Sequence, residues 1–305
     1  MVSRSSTTNG LPAPLLFVLG GASMYAGAAL AVGLFDRMSP AGVAWLRLAG
    51  AALVLVVWRL MARFLATRRA PRTPVRWSRR RLVLAGAFGL VTAAMNIVFY
   101  EAIARLPLGT AVAIEFTGPV LVAALGSRSR RDWAALALVV LGVGLIADVR
   151  LEGSPAGVAF ALAAALLWAA YIVLGARVSQ GSGSTGEGVD GLAIGFVVAA
   201  VVLSPLALTA APIAGEPLLL GSALALGVLS SVVPYVLDQV VLRRVGRARF
   251  ALLLALLPLT ATVVGLVGLA QVPAPLEALG IAAVVVGVAL RREDAPGDPV
   301  REPPD

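Results

Sequence analysis

Ten apolar runs, each about as long as a bilayer is thick, dominate the chain. A hydrocarbon core of ~30 Å takes about 20 residues of helix. Runs of that order lie at roughly 11–34, 41–58, 82–104, 108–126, 133–149, 155–175, 191–212, 218–242, 250–270 and 276–290. In lipid no water is at hand to satisfy backbone groups, so such a run folds as helix and tolerates Gly and Pro in its interior. The expected fold is an all-α integral membrane protein with ten transmembrane helices. Composition excludes the soluble alternatives: 59% hydrophobic and 13% charged residues leave too little polar surface for 305 residues in water. Cys and His are both absent, which removes disulfides, thiolate nucleophiles and the commonest general base and metal ligand. No enzyme activity, cofactor or metal site is expected.

The net charge of +9 raises the question of nucleic acid. All 25 basic residues are Arg, however, clustered between the apolar runs with no stripe along a helix. That pattern sets membrane orientation and gives no reason to expect a nucleic-acid partner. With the N-terminus inside, 21 arginines fall on the cytoplasmic side and only Arg37, Arg105 and Arg150 outside, with Arg47 within a span. Both termini are therefore expected in the cytoplasm of a plasma or inner membrane. Residues 1–10 and 291–305 read as cytoplasmic tails, 179–190 as a flexible linker, and Trp58, Trp77 and Trp133 as belt anchors at the cytoplasmic edge.

The runs divide into two groups of five, 11–149 and 155–290. Aligning Pro119 with Pro258 sets Pro107 opposite Gly246 and Asn96 opposite Tyr235, and GVGLI at 142–146 matches GVAL at 287–290. Five spans per unit turn the second copy upside down. Inverted repeats of this kind belong to alternating-access transporters, whose substrate site lies near the midplane between the repeats.

A charge at membrane depth costs ~2.5–3.5 kcal/mol and needs a reason. Glu115 lies in the fourth span, with Pro119 one turn later on the same side. Proline has no N–H, so the carbonyl of residue 115 loses its helical partner. Thr117 adds a hydroxyl and Gly118 a close backbone approach. The pattern suits a titratable coupling site, or alternatively a proline kink whose Glu is buried against Arg. Pro258 repeats the device at Leu254 and Pro234 at Ser230, without a carboxylate beside Pro258. Arg47, in the second span, sits at the depth of Glu115. It is expected to pair with it, or to form a structural pair at the outer rim.

Asn96 and Tyr100 are four apart on one face of the third span. With Tyr25, Trp168, Tyr171 and Tyr235 they are candidates to line a cavity, the alternative being packing or belt roles. Glu101 precedes Arg105 by four and reads as a surface ion pair. Asp238 stands one turn from Arg243 and Arg244 and reads as either interfacial pairing or a functional acid.

The stretch NIVFYEAIARLPLGTAVAIEFTGPVLVAALGSR (96–128) resembles the threonine/homoserine exporters of the EamA type, in the drug/metabolite transporter superfamily. Asn96, Phe99-Tyr100, Pro107-Leu108-Gly109, Ala111-Val112-Ala113 and Glu115-Phe116-Thr117-Gly118-Pro119 carry the resemblance. Leu46-Arg47-Leu48, Trp168, Tyr171, Leu229-Ser230 and Pro234-Tyr235 extend it along the chain. The resemblance implies two inverted five-helix repeats and proton-driven export of small amino acids. The chain departs from the family's pattern with Leu257-Pro258 in place of Glu-Pro, Gln271 in place of Glu, and Asp238 for Glu. The function expected is secondary active export with Glu115 as the proton-responsive group, alternatively broad efflux of amphipathic or cationic compounds. The partners would be a small solute, protons and lipid, in a monomer or homodimer.

Overall fold

A computed structural model of the chain describes residues 11–66, 79–126, 129–150, 154–180, 195–213 and 216–290. Both tails, residues 181–190 of the expected linker and Trp77 lie outside the described residues. The described chain is helical throughout: α1 (Ala13–Leu34), α2 (Pro40–Ala66), α3 (Arg79–Ile103), α4 (Leu108–Glu115), α5 (Thr117–Gly126), α6 (Arg130–Arg150) and α7 (Pro155–Gln180). Next come α8 (described over 195–202) and a 3₁₀ segment at Ser204–Ile213. Then follow α9 (Pro217–Gly227), a π turn at Val228–Val232, α10 (Val233–Leu253), α11 (Leu256–Leu269) and α12 (Pro275–Leu290). Proline opens α2, α7, α9 and α12, where its missing N–H costs no helical hydrogen bond.

Four helices are long and apolar enough to cross a bilayer among the described residues: Ala13–Leu34, Pro40–Trp58, Leu82–Ile103 and Pro155–Leu174. The other apolar helices are shorter. Interior breaks account for part of this. The fourth run is two helices that part at Phe116, three residues before Pro119. The eighth is α9, the π turn and α10 in series. The ninth starts late, because α10 continues through the Arg243–Arg249 cluster to Leu253 and α11 begins only at Leu256, again just ahead of a proline. Proline removes the N–H its turn needs and crowds the carbonyl four residues back, so the helix yields on its N-terminal side.

The outer faces are apolar: Val267 is 81% exposed and Leu141 65%. Such faces suit lipid and would be untenable in water. At the centre all eight residues of α4 are buried, against α11, α7 and α12. Within the bundle α3 packs along α7, α1 along α10 and α11, and α6 along α12. Small residues permit the close crossings. A Cβ on Gly142 would come within 2.6 Å of the Gly280 carbonyl oxygen, and one on Gly280 within 2.6 Å of the Gly142 oxygen.

Candidate functional site

A cavity of about 190 Å³ opens between α2, α3, α7, α8 and the π turn. Arg47, Thr92, Asn96, Tyr171, Ser230 and Ser231 supply its polar wall. Ala51, Leu55, Trp58, Met95, Phe196 and Val232 supply the apolar one.

The π turn shapes this wall. Pro234 cannot donate to the Ser230 carbonyl, and Nη2 of Arg47 donates to that oxygen at 3.0 Å. The neighbouring Leu229 carbonyl accepts from the Ser23 hydroxyl at 2.9 Å. Gly27 lies directly under Ser230, where any Cβ would overlap the Ser230 hydroxyl. Thus α1 and α2 take up the carbonyls of the irregular segment, as buried backbone groups require.

Below Arg47 lies the ring of Tyr100, its centroid 5.8 Å from the guanidinium carbon. Tyr100 is fully buried and its hydroxyl has no hydrogen-bond partner among the described residues. Glu115 and Tyr25 are buried in the same region, within electrostatic range of Arg47. The ion pair expected between Arg47 and Glu115 is not formed. Glu115 stays within electrostatic range, but the guanidinium donates to the Ser230 carbonyl instead.

Asn96 donates from Nδ2 to the Thr92 carbonyl at 2.7 Å, and the Thr92 hydroxyl donates to Phe88 O at 2.7 Å. Tyr171 stacks on Phe88 with centroids 4.7 Å apart while lining the cavity. Trp168 instead packs edge-on to Phe116, 4.9 Å between centroids, beside the α4–α5 break. The Thr117 hydroxyl donates to Ile114 O at 2.8 Å and so supports that break. Pro119 follows at the start of α5, and Gly118 meets the Ala165 backbone so closely that a Cβ would collide with it.

Pro258 is buried in α11, but the Leu254 carbonyl is not left open: Leu257 N donates to it at 3.1 Å in a tight turn. Asp238 is half-buried on α10 and pairs with no described side chain, while Arg244 donates to Leu11 O at 2.9 Å. Arg243 and the side chain of Tyr235 lie outside the described side chains. Glu101 and Arg105 form the surface pair at 2.6 Å. The structure thus brings Arg47, Asn96 and Tyr171 to one cavity, places Tyr25, Tyr100 and Glu115 behind it, and leaves Trp168, Pro258 and Asp238 elsewhere.

Several residues were not anticipated. Thr92, Ser231 and Phe196 line the cavity, and Thr92 could have been found from its place one turn before Asn96. Glu277 is fully buried and accepts a hydrogen bond from the Thr110 hydroxyl. Asp132 is buried with Oδ1 unpartnered among the described residues.

The chain is 32% identical over 295 residues to the threonine/homoserine exporter RhtA of Salmonella typhimurium (strain LT2), spanning 92% of each protein. To the threonine/homoserine exporter RhtA of Escherichia coli (strain K12) it is 34% identical over 286 residues, 90% of this chain and 89% of the relative. Residues 155–291 match the model of the EamA-like transporter family. The chain belongs to the EamA-like transporter family. A solved crystal structure superposes on this EamA-like chain with a TM-score of 0.53 at 20% identity, over 91% of this chain and 95% of the other, which bears on the fold alone. As a member of a transporter family built of apolar helices, the protein is a multi-pass membrane transporter.

Proposed function

We propose that this EamA-like chain is a secondary active exporter of small amino acids, threonine and homoserine among them, working by alternating access in the inner membrane. The observation that carries it is the cavity itself. Its volume of about 190 Å³ is below the roughly 300–1,000 Å³ of sites for drug-sized ligands. Its wall offers a cation at Arg47, an amide at Asn96 and hydroxyls at Thr92, Ser230 and Ser231. One small zwitterion suits such a space better than a bulky amphipathic cation does, and the relatives' names point the same way.

Two inverted five-helix units, 11–149 and 155–290, would enclose the cavity, with both termini cytoplasmic. Three features support this arrangement. The family match begins and ends close to the second unit. Exchanging the units turns the packing of α3 on α7 into that of the eighth span on α1, and α6 pairs with its own counterpart α12. Finally, Phe116 and Ala255, where the fourth and ninth spans break, are equivalent when Pro119 is aligned with Pro258.

Glu115 is proposed as the proton-responsive group. A potential of 100 mV supplies ~2.3 kcal/mol per charge, so one coupled proton would support roughly 50-fold accumulation. Proteoliposomes loaded with labelled threonine and given a pH gradient test the assignment. Wild type is expected to release threonine faster with the gradient, and Glu115→Gln to lose that acceleration. An unchanged response in Glu115→Gln would refute coupling through this residue. Protection from toxic cations without amino-acid transport would favour broad efflux instead.

A further inference from the structure

Arg47 is a membrane-depth cation with much of its bonding capacity unspent. A guanidinium carries five N–H donors and is always charged. One of them reaches the Ser230 carbonyl at 3.0 Å, and the Tyr100 ring lies under the group at 5.8 Å. No carboxylate forms an ion pair with it among the described residues, and Arg47 lines the cavity directly. A charge placed at this depth is normally compensated by a partner. Glu115 lies within electrostatic range of the guanidinium without ion-pair contact, and Arg47 shares the cavity wall with Asn96, Ser230 and Ser231.

We propose that Arg47 is the anchor for the carboxylate of the transported solute, held toward the cavity by the backbone carbonyl of Ser230. The planar fork of Arg matches a carboxylate in a bidentate pair, and the π turn supplies the oxygen that fixes the fork's orientation. Pro234 is what leaves that oxygen without a helical donor. The proposal rests on the amino-acid exporter function above and narrows it: solutes with a free carboxylate are carried, and the corresponding amides are rejected.

Counterflow of labelled L-threonine into proteoliposomes holding the purified full chain is the measurement, with unlabelled threonine and threoninamide as competitors. For wild type, threoninamide is expected to compete at least about tenfold more weakly, the scale of a hydrogen bond to a charged group. Arg47→Gln is expected to raise the KM for threonine by a similar factor and to lose the preference for the acid over the amide. Arg47→Lys, which keeps charge without the fork, should fall between. If Arg47→Gln fails to fold, Arg47→Lys carries the comparison, and equal competition in wild type still overturns the anchor. Equal competition by acid and amide in wild type, or a preference retained in Arg47→Gln, overturns the carboxylate anchor and leaves the exporter function standing. Failure of wild type to carry any amino acid overturns both.

Discussion

The Thr110 hydroxyl donates to a carboxylate oxygen of Glu277, joining the first turn of α4 to the first turn of α12. Two further bonds reinforce the junction. Leu108 N donates to Gln271 Oε1 at 2.8 Å, and Ala274 N donates to the second Glu277 oxygen at 3.2 Å. Helix N-termini leave backbone N–H groups unsatisfied, and here side chains from outside α4 and within α12 answer that need. The three bonds tie the N-terminal end of α4 to the N-terminal end of α12.

Removing the Glu277 side chain strands the Thr110 hydroxyl and the Ala274 N–H in a fully buried site. Glu277→Ala is expected to lower stability by about 1–3 kcal/mol, the cost of unsatisfied buried polar groups. Glu277→Gln keeps an acceptor oxygen and should lose clearly less. Thermal unfolding of the purified protein in detergent separates the two. Equal midpoints for both variants and wild type would mean that the junction carries no stability.

In the proposed alternating-access cycle the two five-helix units move relative to each other, and this junction between α4 and α12 is expected to part. The chain has no cysteine of its own, so Thr110→Cys combined with Glu277→Cys can be bridged selectively by a short bifunctional thiol reagent. Bridged protein is expected to lose nearly all counterflow, while the unbridged double variant and each bridging-treated single variant keep theirs. Full transport by bridged protein would show that the junction stays closed throughout the cycle.

The elements legible in the sequence were those whose cause is local. Pro234 identified the Ser230 carbonyl as free, and the structure fills it with Arg47. Pro119 and Gly118 marked a weakened helix against a close neighbour, and the chain breaks at Phe116 and crosses Ala165 there. What failed was the choice of partner. Depth along a span brings Arg47 and Glu115 within electrostatic range but does not say what the guanidinium bonds: it takes the Ser230 carbonyl, where a pair with Glu115 or at the outer rim was expected. Glu277 and Asp132 escaped notice for another reason. An acid at the start of an apolar run looks interfacial until packing buries it. The spacing that matches Gly142 with Gly287 also matches Asp132 with Glu277, a signal that was present in the internal repeat.

Tyr100 offers a test of a buried group with an unmet bond. Its hydroxyl is wholly enclosed and unpartnered among the described residues, and an unsatisfied buried hydroxyl costs about 1–3 kcal/mol. Tyr100→Phe keeps the ring beneath Arg47 and removes the orphan. Its unfolding midpoint is expected at or above that of wild type. A clear drop would show that the hydroxyl is bonded in the protein as purified.

Glycines in this bundle are not equivalent, and two of them make a controlled comparison. At Gly118 a Cβ would collide with the backbone of Ala165, which cannot move without parting α5 from α7. At Gly144 a Cβ would meet nothing within 4 Å. Gly118→Ala is therefore expected to separate the two helices and sharply reduce the yield of folded protein, since overpacking against backbone costs roughly 1–3 kcal/mol or more. In Gly144→Ala the helix gains up to about 1 kcal/mol of propensity with no clash, so folded yield should equal or exceed that of wild type. Size-exclusion profiles of the two variants in detergent check the contrast. The same substitution, made 26 residues apart in one chain, is then distinguished only by what stands opposite the added methyl group.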